Sequence, residues 1–530
     1  APFVRAEWQV LAGTVHAAAV QWTTANVADF TDQHTMAFAP IKIGHGMAYS
    51  DVPICSSPSW TDQERMTRLR LVFEGETGTQ IVLKSVITPA DTRHNINNPH
   101  FVMGSAIYAD WTGDLDFLRR NIARMRAAMA YSIKEFRLRE SLCVDTPWYG
   151  HDGRSGFIRN ADGSRTSRWA GGVGNNYWDL LPFGGKDTHA TVYHYAALRR
   201  MANIERLIRA NPQWRVPADG PVQSPEDLDD LAERMKAHAG KLLWNPRTGR
   251  FAACMDADGV LHDYGHVIVN LEAVHYGFAT PEQARSILAW LDGKRMVEGD
   301  TSRGSDIYRW RFGPRCTTKR NTDWYSGMWE PLNVPWGDQV QDGGGVLGFS
   351  FFDVMARLRS KGPDDAAKRL TEIAKWFDEV QAEGGYRSYY AKPGRGTLQG
   401  GGPPGGLGLD HEFVESALVP QVLLYGFMGF SPDLTGFRIE PRLPKSWPSL
   451  KITRVRFHGL VLDIETGRSS LEVTVRGGRA TGPVYWLPPR TGRWTAEVSS
   501  PGQRTRRFAV PKTGLTLPRR SGTVVRLIRA

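Results

Sequence analysis

The pattern of apolar and polar positions divides the chain into three stretches. Residues 1 to about 110 are rich in β-forming side chains, and the runs 68–74 and 79–87 are typical of strands separated by a tight turn at 75–78. From about residue 114, apolar side chains recur every three or four positions, which predicts helices. From about residue 437 an alternating pattern returns between Gly and Pro turns, which predicts a small β-sandwich.

The middle stretch contains eight predicted helices. Thr188, Ser224 and Thr280 are candidate caps, and a proline directly follows the last two. The helices are predicted from about 115, at 188–208, from 224, near 266–278, at 280–293, 346–360, 364–381 and 411–429. We therefore predict three domains, an N-terminal β-rich domain at 1–110, a helical domain at 111–432 and a C-terminal β-sandwich at 433–530.

Composition narrows the class of protein. Of 530 residues 41% are hydrophobic, which supports a folded core, and the net charge of +11 is spread over single Arg and Lys residues, so we predict no nucleic-acid partner. No apolar run is long enough to span a membrane.

The four cysteines are far apart, which argues against a zinc site and allows up to two disulfides. The chain begins Ala1-Pro2, typical of a removed leader or of trimming, so a secreted or periplasmic protein is expected.

A cluster of carboxylates is the strongest chemical signal. Asp410, Glu412 and Glu415 lie within six residues, directly before an apolar run that extends from 416 to 430. Charged groups among apolar neighbours are costly unless they are used, and clustered carboxylates suit hydrolytic acid–base chemistry. The alternative is helix capping, in which Asp410 caps and both glutamates meet the positive end of the helix dipole.

Three motifs extend this signal. The first is Asp410-His-Glu-Phe, followed by a helix, Gly429-Phe-Ser-Pro and Phe437-Arg-Ile-Glu-Pro-Arg-Leu-Pro-Lys-Ser-Trp. The second is Asn175-Asn-Tyr-Trp-Asp-Leu-Leu-Pro, and the third is Trp336-Gly-Asp-Gln-Val-Gln-Asp-Gly-Gly-Gly. Together they resemble the six-hairpin glycosidases, a superfamily that includes α-L-rhamnosidases, inverting α-L-fucosidases, trehalases and α-glucosidases. The third motif departs from the pattern of that superfamily at Asp342, where Asn is usual. The resemblance covers roughly 100–465 and implies an (α/α)6 barrel catalytic domain between two β-domains, with a carbohydrate substrate and no cofactor or metal.

Glycosidic cleavage requires a protonated acid and an opposing carboxylate. Asp179 lies among apolar neighbours that would raise its pKa, and the resemblance to trehalase-like enzymes implies that it is the general acid; the alternative is a turn aspartate. For the base we favour Glu412 narrowly over Asp410, with Glu415 third. The resemblance to inverting fucosidases implies Asn175 and Asn176 as helpers, and His411 is either a substrate hydrogen-bond donor or a capping neighbour.

A second group of residues is predicted to bind substrate. In the glycine-rich third motif, two aspartates flank a glutamine and could bind sugar hydroxyls, supply the base, hold a cation, or form a solvated turn. The tryptophans of the aromatic loops are candidate sugar platforms, with core packing as the alternative. The predicted substrate-binding residues beyond the asparagines and His411 are Trp178, Trp324, Trp329, Glu330, Trp336, Asp338, Gln341 and Asp342.

These observations predict a glycoside hydrolase that cleaves an oligo- or polysaccharide with inversion. Three alternatives stay open. The first is a polysaccharide lyase on an α/α toroid, with Tyr177, His194 and Asn176 as candidates for its base chemistry. The second is a phosphorylase, and the third is a carbohydrate-binding protein without turnover. Neither a P-loop nor an H-E-x-x-H motif is present in the sequence.

Overall fold

The computed structural model describes most of the chain. The described residues are 4–38, 41–42, 48–54, 57–60, 66–87, 94–146, 157–162, 165–167, 176–178, 181–256, 258–321, 335–393, 395, 407–408 and 414–529. They form a mixed α and β protein with a β-rich N-terminal part, a helical middle and a β-rich C-terminal part. None of the helices within these ranges is long and apolar enough to cross a membrane.

The N-terminal strands form two antiparallel sheets, ordered β4-β5-β1-β7 and β3-β2-β6. Their bounds are β1 Val4–Ala12, β2 Val15–Thr24, β3 Thr35–Ala37, β4 Ile41–Lys42, β5 Ala48–Val52, β6 Met66–Gly75 and β7 Gln80–Ile87. The two predicted strands and the turn between them are confirmed, since Thr79 N–H donates to the Glu76 carbonyl at 3.0 Å. β6 pairs with β2 and β7 pairs with β1, so the chain passes from one sheet to the other at this turn.

The middle of the chain is predominantly helical. Its helices are α1 Asn97–Thr112, α2 Leu115–Glu135, α3 Leu138–Ser141, α4 Thr188–Ala210, α5 Pro225–Leu242, α6 Val267–Tyr276, α7 Pro281–Leu291, α8 Ser350–Ser360, α9 Pro363–Ala382 and α10 Tyr386–Tyr390. α1 begins at Asn97 and therefore runs across the predicted boundary between residues 110 and 111. The short strands of this part are β8 Val144–Thr146, β9 Phe157–Arg159, β10 Arg165–Ser167, β11 Gly185–Asp187, β12 Trp244–Asn245, β13 Arg250–Phe251, β14 Cys254–Met255, β15 Leu261–His262, β16 Gly345–Val346 and β17 Leu407–Gly408.

The helix starts follow the predicted capping chemistry at two of three positions. Ser224 accepts the Asp227 N–H at the start of α5, and Thr280 forms a reciprocal capping box at the start of α7. At α4 the prediction was wrong by one residue, because Asp187 rather than Thr188 is the cap. Thr188 is itself the first residue of α4, and its hydroxyl donates to the Ala252 carbonyl at 2.7 Å.

The predicted helix at 411–429 is not continuous in the part that the structure describes. A 3₁₀ segment covers Val414–Leu418 and a π-helical segment covers Val422–Phe427. Pro420 lies between them and lacks the N–H that an α-helix would need there, which explains the interruption. π-helical segments are frequent at functional sites.

The helices contact one another in an alternating order. α1, α4, α6, α8 and the Val422–Phe427 segment contact each other in succession, while α2, α5, α7 and α9 each pack on the preceding member of that series. The Trp111 indole of α1 donates to Tyr425 Oη at 2.7 Å, so the last member of the series touches the first. An (α/α)6 barrel requires such an order of inner and outer helices, and the complete barrel stays a prediction.

The C-terminal strands form two sheets, ordered β18-β19-β23-β26 and β20-β21-β22-β27-β24-β25. Their bounds are β18 Phe430–Asp433, β19 Gly436–Ile439, β20 Ser449–Phe457, β21 Leu460–Gly467, β22 Ser470–Gly478, β23 Tyr485–Leu487, β24 Trp494–Ser499, β25 Arg506–Ala509, β26 Leu515–Thr516 and β27 Thr523–Arg529. Both sheets contribute to one apolar core that contains Phe437, Leu462 and Trp486. The predicted return to β structure is therefore confirmed.

The helical and C-terminal parts are packed together. Trp111 stacks on Phe430 with ring centroids 5.3 Å apart, and the Phe457 ring lies 5.8 Å away. The His458 N–H donates to the Trp111 carbonyl at 3.1 Å. Cys143, Cys254 and Cys316 are buried free thiols, so no disulfide joins the described cysteines. Cys55 lies outside the described residues.

Candidate functional site

The three motif-bearing loops approach one another at their described edges. Tyr177 Oη donates to Glu415 Oε1 at 3.4 Å, which joins the second motif to the first. β16, which begins at the last glycine of the third motif, pairs in parallel with β17. β17 ends at Gly408, two residues before Asp410, so the third motif lies beside the segment that precedes the carboxylate cluster. At Gly348 a side chain would lie only 2.5 Å from the Glu415 backbone carbon, which shows how closely these two segments pack.

The structure describes one of the four predicted catalytic carboxylates. Glu415 is half-buried and contacts Tyr177. The other three, Asp179, Asp410 and Glu412, lie outside the described residues, as do the predicted substrate-binding residues Asn175, Trp324, Trp329, Glu330 and His411. Their roles stay predictions.

Asn176 anchors the loop that leads to residue 179. Its side chain is fully buried, its Oδ1 accepts the Trp178 N–H at 2.7 Å, and its Nδ2 donates to Asp187 Oδ2 at 2.8 Å. Asn95 Nδ2 donates to the same carboxylate oxygen at 3.2 Å. The other oxygen of Asp187 accepts the Ala190 N–H at 3.0 Å and caps α4. Through Asn176, the start of α4 therefore fixes the backbone of Trp178, the residue that precedes Asp179.

Burial shapes the electrostatics of this anchor. It raises the pKa of the Asp187 carboxyl, while the nearby His189 and the hydrogen bonds from Ala190, Asn176 and Asn95 act in the opposite direction. The carboxylate is thus stabilised by several donors at a place where water is excluded. The free energy of this network depends on every donor being present.

A buried histidine–carboxylate pair lies beside the anchor. His189 Nδ1 lies 2.9 Å from Glu272 Oε2, and the Tyr193 hydroxyl donates to Glu272 Oε1 at 3.0 Å. Burial disfavours the imidazolium, but the Glu272 carboxylate outweighs this and raises the pKa of His189. Burial, with the Glu272 charge, raises the pKa of Tyr193 well above its usual value, so its hydroxyl remains a donor. The pair connects α4 to α6.

Trp178 packs into this cluster. Its ring lies 4.4 Å from the His266 ring, 5.3 Å from Phe349 and 6.3 Å from His189, measured between centroids. The side chain is only 1% exposed, so the ring has no open face on which a sugar could stack. Trp178 is therefore a core residue in this structure, as the alternative to a sugar platform predicted.

Asp342 is the most strongly buried carboxyl of the third motif. Its Oδ1 accepts the Asn321 N–H at 3.0 Å, and Arg320 Nη1 lies 3.4 Å from its Oδ2. Burial raises the pKa of Asp342 to about 6, against the effects of the Asn321 N–H and the Arg320 charge. The loop itself is fixed by the Thr317 hydroxyl, which accepts the Gly343 N–H at 3.0 Å and donates to the Gln341 carbonyl at 3.3 Å.

Trp336 and Asp338 lie at the edge of the same loop. The Trp336 indole donates to Ser302 Oγ at 2.9 Å, and the Arg315 guanidinium lies 5.6 Å from the centre of its ring. The backbone of Gly343 also lies against this ring, where any side chain would clash at 2.5 Å. Burial raises the pKa of Asp338, and the charge of Arg309 opposes this shift.

No group of three or more His, Cys, Asp or Glu side chains within the described ranges is arranged to hold a metal ion.

The sequence did not identify His189, Glu272 and His266 as candidates for the site. A usable signal was present for Glu272, because it is the single charged residue in the apolar run of α6, and a buried charge requires a partner. His189 and Tyr193 are four residues apart on α4, which places them on one face. Nothing in the sequence indicated that this face would meet α6.

Sequence comparison finds a match in the C-terminal part. Residues 433–484 match the profile described as "Glycosyl hydrolase family 65, C-terminal domain". No curated protein sequence matches the chain.

Solved structures of carbohydrate-active enzymes are similar to this chain at low identity. The GH78 family rhamnosidase of Bacillus sp. GL1 is 13% identical, with a TM-score of 0.38, and the similarity covers 92% of this chain and 52% of that one. The α-L-rhamnosidase from Dictyoglumus thermophilum is 9% identical, with a TM-score of 0.37 and coverage of 100% and 61%. A putative kojibiose phosphorylase from the human microbiome is 10% identical, with a TM-score of 0.30 and coverage of 82% and 46%.

The chain thus spans between about half and three fifths of the length of the two rhamnosidase structures. The family-model match is confined to residues 433–484, and no family is placed for this chain.

Proposed function

We propose that the protein is a glycoside hydrolase that cleaves a glycosidic bond of an oligo- or polysaccharide with inversion. The contact between Tyr177 and Glu415 carries this proposal, because it joins the sequence motif that contains Asp179 to the motif that contains Asp410 and Glu412. Acid–base cleavage of a glycoside requires two carboxyl groups on opposite sides of the bond that is cleaved. The alternating order of helix contacts supports an (α/α)6 barrel as the scaffold.

In this proposal Asp179 protonates the leaving oxygen and Glu412, or in second place Asp410, activates the attacking water. The general acid needs a raised pKa. Trp178 and Leu181, the described apolar neighbours of Asp179, are each 1% exposed, so the loop enters an apolar environment on both sides of it. Asn176 fixes the backbone up to Trp178 through Asp187, and in this proposal that anchor orients the side chain of Asp179. Such fixed orientation is a large part of catalytic power.

The decisive experiment is the Asp179→Asn variant assayed on aryl glycosides and oligosaccharides. General acid catalysis contributes roughly 10²–10⁴-fold, so kcat should fall by about 100-fold or more, and less for substrates with very good leaving groups. Asp219→Asn, at an exposed aspartate, is the matched control and should retain activity. Full activity of the Asp179 variant would eliminate this residue as the acid.

The stereochemistry is tested separately. Inverting enzymes hold their carboxyl groups roughly 6.5–9.5 Å apart to admit water, and retaining enzymes about 5–5.5 Å apart. NMR of the first-formed product anomer should show the configuration opposite to that of the substrate. A retained configuration, or a trapped glycosyl–enzyme adduct, would replace inversion by a covalent mechanism.

The same assay separates the alternatives. Unsaturated products that absorb ultraviolet light would identify a lyase, and turnover that requires inorganic phosphate would identify a phosphorylase. Saccharide binding with no turnover under any condition would identify a binding protein. Each of these results would overturn the hydrolase proposal.

A further inference from the structure

The positive charge of the chain is concentrated in its last strands. Residues 485–529 contain ten Arg and Lys residues and one Glu, which is a net charge of +9 out of +11 for the whole chain. The cations stand singly or in pairs, so no long basic run marks them in the sequence. All ten are exposed on the C-terminal sheets and their connecting turns. We call these ten exposed cations the C-terminal basic surface.

Most of these cations lack an anionic partner. Three of the ten form ion pairs within the described part of the chain, at 2.6–3.6 Å, and these pairs are Arg490–Glu440, Arg507–Glu497 and Arg526–Glu472. The other seven form no ion pair with any described residue, and they are Arg493, Arg504, Arg506, Lys512, Arg519, Arg520 and Arg529. Unpaired like charges repel one another, so a partner of opposite charge stabilises them.

Two turns bring part of this charge to one end of the six-stranded sheet. A side chain added at Gly502 would lie 3.9 Å from Arg520 Nη2, and the hydroxyls of Ser500 and Thr523 are 3.0 Å apart. The turn that joins β24 to β25 therefore lies against the turn that precedes β27. This contact groups four of the unpaired cations, which are Arg504, Arg506, Arg519 and Arg520.

Protection of a sheet edge explains only part of this surface. β25 is the outermost strand of the six-stranded sheet, and its four residues Arg506–Ala509 are all exposed. Charged side chains on an edge strand prevent it from pairing with another chain, and the two arginines of β25 suffice for that. Arg504, Arg519 and Arg520 lie in turns outside the strands, where no edge needs protection. Edge protection therefore does not account for their charge.

The side chains of this surface indicate the chemistry of its partner. Nine of the ten cations are arginines, whose planar guanidinium can donate two parallel hydrogen bonds to one carboxylate, sulfate or phosphate group. Phe508, at 38% exposure, is the one large apolar side chain that residues 485–529 expose. Single-stranded nucleic acids stack on several aromatic rings, and helices at membrane surfaces insert several apolar side chains. A surface of arginines with one exposed ring fits an acidic sugar polymer better, because such a polymer repeats carboxylates along a polar chain.

We propose that the C-terminal basic surface docks an acidic polysaccharide, whose repeated carboxylates pair with Arg504, Arg506, Arg519 and Arg520. The anionic character of the partner rests on the charge and exposure of this surface, and the choice of a saccharide rests on the proposed function. The C-terminal strands pack on the helical part through Phe430 and Trp111. A polymer held on this surface is thereby tethered to the part of the chain that carries the proposed catalytic residues.

Binding is measured with two acidic polymers and a matched neutral one. The wild-type, full-length protein is titrated by calorimetry with polygalacturonate, with alginate, and with fully methyl-esterified polygalacturonate, which has the same backbone without its charge. We expect it to bind at least one acidic polymer and to bind the methyl ester about tenfold more weakly or not at all. Raising NaCl from about 50 mM to about 300 mM should weaken the binding, because salt screens exposed charges.

Two variants of equal net charge locate the binding surface. The first combines Arg504→Gln, Arg506→Gln, Arg519→Gln and Arg520→Gln. Its affinity for the acidic polymer should fall on the order of tenfold, because four exposed ion pairs with the ligand are lost. The matched control combines four substitutions at exposed arginines in the middle of the chain, Arg120→Gln, Arg124→Gln, Arg139→Gln and Arg247→Gln. It should bind like wild type, and both variants should keep the wild-type circular dichroism spectrum because all eight side chains are exposed.

Single-stranded DNA of matched charge and phosphatidylserine-containing vesicles test the other anionic partners. Tighter binding of either than of both acidic polysaccharides at the same salt concentration would overturn the proposal in favour of that partner. Equal binding of polygalacturonate and its methyl ester would overturn it, as would equal affinities of the two variants. The absence of binding of both acidic polymers by the wild type would overturn it too.

These outcomes are separate from the test of the proposed function. Binding through this surface by a protein that hydrolyses no glycoside would support the surface and refute the hydrolase. Hydrolysis by a wild-type protein that binds neither acidic polymer would refute the surface and leave the hydrolase in place.

Discussion

Replacement of Asp342 by asparagine should change how the stability of the protein depends on pH. The side chain is fully buried in the third motif, with one oxygen bonded to the Asn321 N–H and the other near Arg320. Burial raises the pKa of Asp342 from 3.8 to about 6. An Asn side chain can still accept the Asn321 N–H, so the substitution removes the ionisable group and keeps the main contact.

The magnitude follows from the difference between the folded and unfolded pKa. A shift from 3.8 to about 6 corresponds to about 3 kcal/mol at about 1.4 kcal/mol per pKa unit. Below about pH 4 Asp342 is protonated in both the folded and the unfolded protein, so its ionisation does not lower the free energy of unfolding. Between about pH 4 and pH 6 the folded state still holds a proton that the unfolded state has released, so stability falls as pH rises. Above about pH 6 the loss is complete.

The assay is urea unfolding followed by circular dichroism at about pH 4, 5, 6 and 7. The stability of Asp342→Asn relative to wild type should increase by about 3 kcal/mol between the lowest and the highest pH. The exposed Asp219→Asn variant should run parallel to wild type. If the curves of Asp342→Asn and wild type stay parallel over this range, Asp342 is ionised in the fold and our account of its burial is wrong.

Three further substitutions test the framework of the site. Asp187→Ala should lower the free energy of unfolding by about 3–5 kcal/mol, since three buried donors lose their acceptor; a loss below about 1 kcal/mol in urea unfolding would contradict the network. Asp300→Ala should cost about 1.5–3 kcal/mol, because the 1% exposed Arg250 loses two hydrogen bonds and keeps Asp263 as its remaining carboxylate partner; an unchanged melting temperature would count against this. Trp111→Ala should cost about 2–4 kcal/mol and expose residues 430–448 to proteases, because it removes the ring stacked on Phe430; unaltered proteolysis would mean that the junction does not depend on this contact.

The sequence determined the order of structural types because each type has its own period. Alternation over 68–74 and 79–87 became strands, and the recurrence at Leu115, Leu118 and Ile122 became one side of α2, with the latter two buried. Ser224-Pro and Thr280-Pro marked the starts of two helices, because a cap and a proline act within one turn. These signals are local, so they do not depend on how distant parts of the chain meet.

Parts of the site could be predicted in the same way and parts could not. The sequence selected the loops of Tyr177, Asp342 and Glu415, and the structure brings their edges together. It could not show that Asn176 holds a loop in place, because its partner Asp187 lies 11 residues further along the chain and their contact depends on tertiary packing. The interruption near Pro420 could have been read from the sequence, because proline lacks the N–H that a continuous helix needs, but the choice of 3₁₀ and π turns on its two sides could not.

Tertiary structure alone decided which polar groups face each other. His189 and Glu272 are 83 residues apart, and each, judged from its own neighbours, is a polar residue in an apolar helix. Only the contact of α4 with α6 turns them into a hydrogen-bonded pair and places His266 against Trp178. Pairing of this kind depends on long-range packing, and the free energy of a buried charge depends on its partner, so local periodicity carries no information about it.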